Sequence, residues 1–295
     1  MIRYEVREGG SKMQLARMAA VLLLVLISGA VSAQSDADRR TDMEAVGSAV
    51  LAYIDGIMAG DAERVAGVLH PEFHKTGILT IRETGRQCLR SSGRSQQVAA
   101  VGAQGEQVGK EDRDIEIRIL GIGQDLASVF VVSSVTQEFL QLAKIADEWK
   151  LINVLWIPIG TAPEEGDMSE AESVKATALD YIDGAYSGAA DRMARALARD
   201  FHKVFPRTIS STGETLLSYS SASLLVEATA AKSMNLDADK RAINLTVEDA
   251  GRGLASVWIV SAMYIDLLQL AKINGEWKIV NVLWVPNPDA VIQRR

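Results

Sequence analysis

Apolar residues recur with a helical period and then with a strand period, and this order occurs twice along the chain. The helical positions are Val46, Val50, Tyr53, Ile54, Ile57 and Met58, and later Val174, Ala178, Tyr181, Ile182, Ala185 and Tyr186. Such spacing places the side chains on one face of a helix. Gly60 and Gly188 suit the helix ends, and Asp61 suits the start of a second short helix. Each occurrence therefore predicts a helical hairpin.

The later part of each occurrence alternates between apolar and polar positions. Ile115, Ile117 and Ile119 alternate with charged residues, and three further apolar runs follow at 126–135, 139–145 and 149–157. This period predicts strands, and the short breaks between the runs predict an antiparallel sheet.

The last strand predicts that both faces of this sheet are covered. Strict alternation places Trp149 and Asn153 on one face and Trp156 on the other, and both faces are mostly apolar. A sheet with one face in water shows polar residues at alternate positions instead. We therefore expect helices on one face and the other half of the chain on the second.

A tandem repeat underlies these patterns. The hexapeptide LQLAKI occurs at 140–145 and at 268–273, and the same offset of 128 residues aligns Tyr53 with Tyr181 and His74 with His202. One fold is therefore used twice. The predicted copies are 34–158 and 169–287, with a Pro- and Gly-containing linker at 159–168 and a tail at 288–295. Sheets packed face to face would form an intrachain pseudo-dimer.

The amino terminus has the pattern of a signal peptide. Lys12 and Arg17 precede an apolar run, and Val31 and Ala33 satisfy the small-residue spacing of a cleavage site. We expect cleavage after Ala33, with residues 1–33 removed and the protein periplasmic or secreted. An uncleaved membrane anchor is the alternative, and translation from Met13 instead of Met1 is also open.

Charge and cysteine content exclude several classes of function. Residues 1–33 hold four basic and two acidic residues, so their removal changes the net charge from −7 to −9. Nucleic-acid binding normally needs a basic surface, and the sequence has none. Cys88 is the only cysteine, so an intrachain disulfide is impossible. It aligns with Leu216, which indicates a packed thiol more than a reactive one.

Shared motifs of the two copies resemble a known family. These motifs are Tyr-Ile-Asp-Gly, Phe-His-Lys, LQLAKI, Glu-Trp-Lys and Asn-Val-Leu-Trp. Together with the order of helices and sheet, they resemble the nuclear transport factor 2-like superfamily, and within it the putative lumazine-binding family. The resemblance implies an α+β fold of two cone-shaped domains, each a helical hairpin packed on a curved antiparallel sheet. It also implies a pocket at the wide end of each cone and a pteridine-like ligand.

His74 and His202 are the first candidates for chemistry. Each lies in Phe-His-Lys, where the resemblance implies the mouth of the pocket, and an imidazole there can act as an acid or base or bind a ligand. The alternative is a structural hydrogen bond between helix and strand, with Lys75 and Lys203 in solvent, and we favour it.

Asp55 and Asp183 are a second pair of catalytic candidates. In enzymes of the implied fold, a carboxylate abstracts a proton beside a carbonyl while a tyrosine, here Tyr53 or Tyr181, donates to the oxyanion. The alternative is an ion pair with a nearby base such as Arg64, which is the commoner role of an aspartate on a helix flank.

Asn153 and Asn281 interrupt apolar strand faces. A buried amide either closes a hydrogen-bond network or binds a ligand, and the sequence leaves both open. Trp149 and Trp277 are the tryptophans predicted to share their face, where they are core residues or stack on a planar ring. The predicted ligand-binding residues are therefore Tyr53, His74, Trp149, Asn153, Tyr181, His202, Trp277 and Asn281.

The sequence predicts no metal and no cofactor. His70 and His74 lie four apart but lack the glutamate of a zinc-protease helix, and Ala198 replaces His70 in the second copy. Gly121-Ile-Gly and Gly251-Arg-Gly lack the third glycine of a nucleotide loop and are expected to be hairpin turns.

Three hypotheses for function follow. The first is an exported protein that binds a small apolar or planar molecule in its cones. The second is an isomerase or hydrolase with a His or Asp acid–base, which we consider less favoured. The third is a structural or protein-interaction module whose cones are filled by its own side chains.

Overall fold

The computed structural model describes residues 2–6, 36–159 and 168–290, and both copies have the same order of elements. The first copy contains α1 (Asp36–Ala59), α2 (Ala62–Val68), β2 (Leu69–Thr80), β3 (Gln87–Gly93), α3 (Arg94–Gln104), β4 (Ile115–Gly123), β5 (Leu126–Ser133), β6 (Thr136–Ile145) and β7 (Glu148–Pro158). A separate strand, β1 (Ile2–Val6), precedes them.

The second copy repeats this order of helices and strands. It contains α4 (Ala171–Ser187), α5 (Ala190–Ala196), β8 (Leu197–Thr208), β9 (Thr215–Ser220), α6 (Ala222–Ala230), β10 (Asn244–Gly251), β11 (Leu254–Val260), β12 (Tyr264–Ile273) and β13 (Glu276–Pro286). The predicted α+β class, with a helical hairpin followed by a sheet in each of two copies, is confirmed.

Each sheet is mixed, although the pattern of the sequence predicted antiparallel strands only. The orders are β1-β4-β5-β6-β7-β2-β3 and β10-β11-β12-β13-β8-β9. Strand β2 pairs with β7 in parallel, β8 pairs with β13 in parallel, and β1 lies parallel to β4. The parallel pairs arise because the chain runs from α2 or α5 directly into β2 or β8, which joins the sheet without a hairpin turn.

The helical hairpin forms for the reasons that the sequence indicated. Val50, Tyr53 and Ile54 on α1 are fully buried against the sheet. The Asp61 carboxylate accepts a hydrogen bond of 3.0 Å from the backbone N–H of Arg64, which satisfies one of the free amides at the start of α2.

A β-bulge in the last strand changes which residues share a face. Asn153 pairs with Gln141 but Leu151 pairs with Leu142, so Ile152 is an additional residue in β7. Trp149 and Leu151 therefore face the helices, whereas Asn153 faces the other copy. The prediction that Trp149 and Asn153 share a face is wrong, because strict alternation does not continue through a bulge. Strand β13 has the same irregularity.

The two copies bind each other through their outer sheet faces. Gln141 Nε2 donates to the carbonyl oxygen of Leu267, and Gln269 Nε2 donates to that of Phe139, both at 2.7 Å. Two apolar clusters between the sheets draw residues from both copies, and Leu155 and Leu283 in them are fully buried. This reciprocal packing is the predicted intrachain pseudo-dimer.

Several predictions about the ends of the domains fall mainly outside the described residues. Of the predicted signal peptide, 1–33, the structure describes only Ile2–Val6, and of the linker only 159 and 168. The cleavage site and the tail boundary therefore remain predictions. In the described parts of the chain, no helix combines the length and the apolar character that a membrane span requires.

Candidate functional site

His74 and His202 lie against each other where the two copies meet. Their ring centroids are 4.2 Å apart and the rings are inclined by 27°, so the imidazoles stack. The neighbours of His74 on the strand, Phe73 and Lys75, face α1. The His74 ring therefore lies on the opposite face of the sheet. The ring of Tyr219 contacts His202 with its centroid 5.1 Å away.

Burial favours the neutral form of both imidazoles. Burial lowers the pKa of His74, and burial together with the nearby His74 lowers the pKa of His202 to about 3. Burial, and then the Glu72 carboxylate, raise the pKa of the Tyr219 hydroxyl. A neutral imidazole has one donor and one acceptor nitrogen, and the buried Nδ1 of His202 has no hydrogen-bond partner among the described residues.

A cleft of about 400 Å³ opens beside this pair, which we name the histidine cleft. Residues of both copies line it: Pro71, Glu72, Phe73, His74, Gly93, Arg94, Ser95, His202 and Tyr219. The Glu72 carboxylate is partly engaged, because it accepts a hydrogen bond of 2.8 Å from the backbone N–H of Leu217. The histidine cleft thus combines aromatic surfaces with both hydrogen-bond donors and hydrogen-bond acceptors.

A buried group of three polar side chains lies inside the first cone. Lys75 Nζ donates to the Tyr53 hydroxyl at 2.8 Å and to Glu138 Oε1 at 3.0 Å, and it lies 5.1 Å from the centroid of the Trp156 ring. Only 7% of Lys75 and 1% of Glu138 are exposed. Burial, and then the Glu138 charge, raise the pKa of Tyr53 well above its usual value. A pair as buried as this is stable only because each charge has its partner.

The second cone contains the equivalent group. Lys203 Nζ donates to the Tyr181 hydroxyl and, at 3.0 Å, to Asp266 Oδ1. Its ammonium also lies 4.8 Å from the centroid of the Trp284 ring and 5.5 Å from that of Tyr264. Both cones are therefore filled at this depth by their own side chains.

The sequence interpretation missed these two groups. It placed Lys75 and Lys203 in solvent, which is wrong, because both lysines lie on the strand face that packs on the helices. Phe73 and Lys75 are two residues apart, and a period of two on a strand would have placed them on the same face. Glu138 was read as part of a break between strands, although it lies within β6; the equivalent Asp266 lies within β12.

The other predicted binding residues are occupied by protein partners. Trp149 Nε1 donates to the Asp42 carboxylate at 3.0 Å, and Trp277 Nε1 donates to Glu170 at 2.8 Å. Asn153 Nδ2 donates to Gln141 Oε1 at 2.8 Å. The contact between Asn281 and Gln269 has the same length. The asparagines thus belong to the hydrogen-bond network between the sheets. Asn153 and His74 are register partners, whereas Tyr53 and Trp149 belong to the apolar core between the helices and the sheet.

Asp55 and Asp183 form ion pairs with arginines. Asp55 contacts Arg64 and lies 3.0 Å from Arg113 Nη1. Asp183 contacts Arg192 and Arg241 at 2.5 Å. Burial raises the pKa of each carboxyl, but the hydrogen bonds from the arginines outweigh burial and lower the pKa below its usual value. The ion pair that the sequence suggested for Asp55 is present, and a carboxylate held this way is a weak base.

Comparison with protein families assigns the fold of both copies. The model of the family described as "Putative lumazine-binding" matches residues 41–157 and 169–285, which is most of the chain. The chain belongs to this family. Each copy is one putative lumazine-binding domain, as the sequence motifs indicated. A comparison with curated protein sequences gave no match.

Solved structures similar to this lumazine-binding-family chain correspond in length to one copy. A protein of unknown function from Silicibacter pomeroyi is 14% identical with a TM-score of 0.36, over 41% of this chain and 98% of its own. A putative dehydratase from Streptomyces avermitilis is 16% identical with a TM-score of 0.29, over 41% and 98%. The association domain of C. elegans CaMKII is 13% identical with a TM-score of 0.30, over 41% and 98%.

The buried pair in the first lumazine-binding domain predicts strong coupling between Lys75 and Glu138. Lys75→Met leaves the Glu138 carboxylate buried without its counter-charge, so we expect a loss of about 3–5 kcal/mol in the free energy of unfolding. Adding Glu138→Leu removes that charge, and most of the loss should be recovered. Urea denaturation of the single and double variants measures both values.

The second copy supplies a matched control for this experiment. Lys203→Met with and without Asp266→Leu should show the same pattern, because the geometry is equivalent. If both lysine variants lose less than about 1 kcal/mol, which is typical of exposed ion pairs, the pairs are not the buried contacts described here.

Proposed function

We propose that this protein binds a small planar heterocycle in the histidine cleft, which both copies build together. One observation carries the proposal: His74 and His202 stack at 4.2 Å in a cleft of about 400 Å³. This volume lies within the range of small-molecule sites in proteins. The sequence hypothesis placed the ligand in the cones. The histidine cleft is favoured instead because the lysine, tyrosine and acid described above are hydrogen-bonded to one another inside each cone.

The chemistry of the cleft favours a planar ligand with hydrogen-bonding edges. The imidazole and Tyr219 rings offer flat surfaces for stacking. Arg94 and Ser95 can donate to ring oxygens, and Glu72 can accept from ring N–H groups. A pteridine-like molecule has these edges, and the family description names lumazine. Binding fits this geometry better than acid–base catalysis by Asp55, whose carboxylate is held in ion pairs with Arg64 and Arg113 outside the histidine cleft.

A titration with lumazine tests the proposal. We expect saturable quenching of lumazine fluorescence and a rise in melting temperature, because a ligand that prefers the native state stabilises it. His74→Ala with His202→Ala should weaken binding at least about ten-fold, which corresponds to about 1.4 kcal/mol.

The control is Asp55→Asn with Asp183→Asn, which alters the paired carboxylates but not the histidine cleft. Lumazine affinity should remain unchanged in this variant. Equal affinity of the histidine variant and the unmodified protein would contradict the assignment of the site. Failure of lumazine and of other planar heterocycles to bind the unmodified protein at all would contradict the proposed function.

We also propose that the protein is exported with cleavage after Ala33. The support is the basic, apolar and small-residue pattern of residues 12–33. Expression of the full chain in a bacterial host, followed by amino-terminal sequencing of the periplasmic fraction, should give a mature protein that begins at Gln34. Recovery of the uncut chain from the membrane fraction would support the anchor alternative instead.

A further inference from the structure

A second cleft of about 290 Å³ exists in the second copy, away from the paired histidines. It lies where the end of α5, the start of β8 and the first turns of α6 meet. Its lining residues are Ala194, Leu197, Ala198, Arg199, Ala222, Ser223, Val226 and Glu227. We name it the alanine cleft, because three alanines form much of its surface.

In the first copy, two side chains occupy the equivalent place. The offset of 128 residues aligns Ala198 with His70 and Ala222 with Arg94. Arg94 Nη2 donates to the carbonyl oxygen of Ala66 at 3.0 Å. His70 is 4% exposed, and its Nδ1 accepts a hydrogen bond of 3.1 Å from the backbone N–H of Glu72. The first copy therefore has a hydrogen-bonded guanidinium and imidazole at these two positions, where the second copy has only the methyl groups of alanine.

The alanine cleft also has charges that the first copy lacks. Arg199 aligns with Pro71, and Glu227 aligns with Ala99. Both side chains belong to exposed residues, and neither has an ion-pair partner within the described ranges of the chain. Leu197 and Val226 form apolar walls between them. A cation and an anion thus lie at the edge of an apolar cleft without being paired.

We propose that the alanine cleft binds a small zwitterion that carries a guanidinium group, of the type of free arginine. The ligand guanidinium takes the place that Arg94 has in the first copy, near Glu227 and the α5 residue Ala194, which is equivalent to Ala66. The ligand carboxylate faces Arg199, which can bind it through two parallel hydrogen bonds. The aliphatic part of the ligand covers Leu197 and Val226.

Isothermal titration of the full mature chain with L-arginine tests this proposal. We expect one saturable site per chain. Agmatine lacks the carboxylate, citrulline lacks the positive charge of the guanidinium, and lysine has an ammonium in place of the planar guanidinium. Each should bind at least about ten-fold more weakly, as expected for the loss of one charge-assisted contact. Citrulline binding as tightly as arginine would overturn the proposal, as would the absence of saturable arginine binding.

Two variants locate the site. Ala198→His with Ala222→Arg gives these positions the side chains of the first copy, so arginine binding should disappear. Because Ala198 is buried in the cluster between the sheets, circular dichroism first checks that this variant is folded. Glu227→Gln changes only an exposed side chain, and it should weaken arginine binding at least about ten-fold without unfolding the protein. Unchanged affinity in the Glu227 variant, or in a folded double variant, would overturn the assignment. The histidine cleft is untouched by either substitution, so lumazine binding serves as the independent control.

Discussion

The exclusion of water from both faces of each sheet is the constraint on which the rest of the structure depends. On one face the helices cover the sheet, and on the other face the second copy covers it. Asn153 and Asn281 are fully buried in this second layer. The Nδ2 group of each donates to a glutamine, Gln141 or Gln269, and that glutamine in turn donates to a backbone carbonyl of the other copy. An unpaired amide at this depth would cost about 1–3 kcal/mol.

The same interface positions the paired histidines, and the copies differ beside them. His74 and His202 stack only because the pseudo-twofold brings equivalent strands together. Beside them the first copy carries Arg94 where the second has Ala222. The cone mouths differ too: a Cβ at Gly77 would lie 2.6 Å from Trp156 Nε1, whereas the equivalent Phe205 packs on Trp284 with ring centroids 4.6 Å apart. Both copies therefore keep the same helices, strands and buried contacts, while the residues that line their clefts differ.

The sequence predicted the fold of each copy well, because the period of the apolar residues and their repetition in two copies show which residues are buried. The stripe through Tyr53, the Asp61 cap and the tandem copies are all local or repeated patterns, and all are present. The site was predicted less well, because it depends on features that strict periodicity cannot show. The bulge at Ile152 moved Asn153 to the other face. Lys75 differs, because it shares its face with Phe73 and the period of two along β2 would have placed it there. The contact of His74 with His202 joins residues 128 positions apart, so only the three-dimensional packing shows it.

Urea unfolding followed by tryptophan fluorescence and by circular dichroism tests the shared interface most directly. Trp149 and Trp156 report on the first copy, and Trp258, Trp277 and Trp284 report on the second. If the copies form one cooperative core, both probes should give a single coincident transition whose m-value corresponds to the surface of both copies. Two separate transitions, each with about half that m-value, would show that the copies fold independently and would contradict the account.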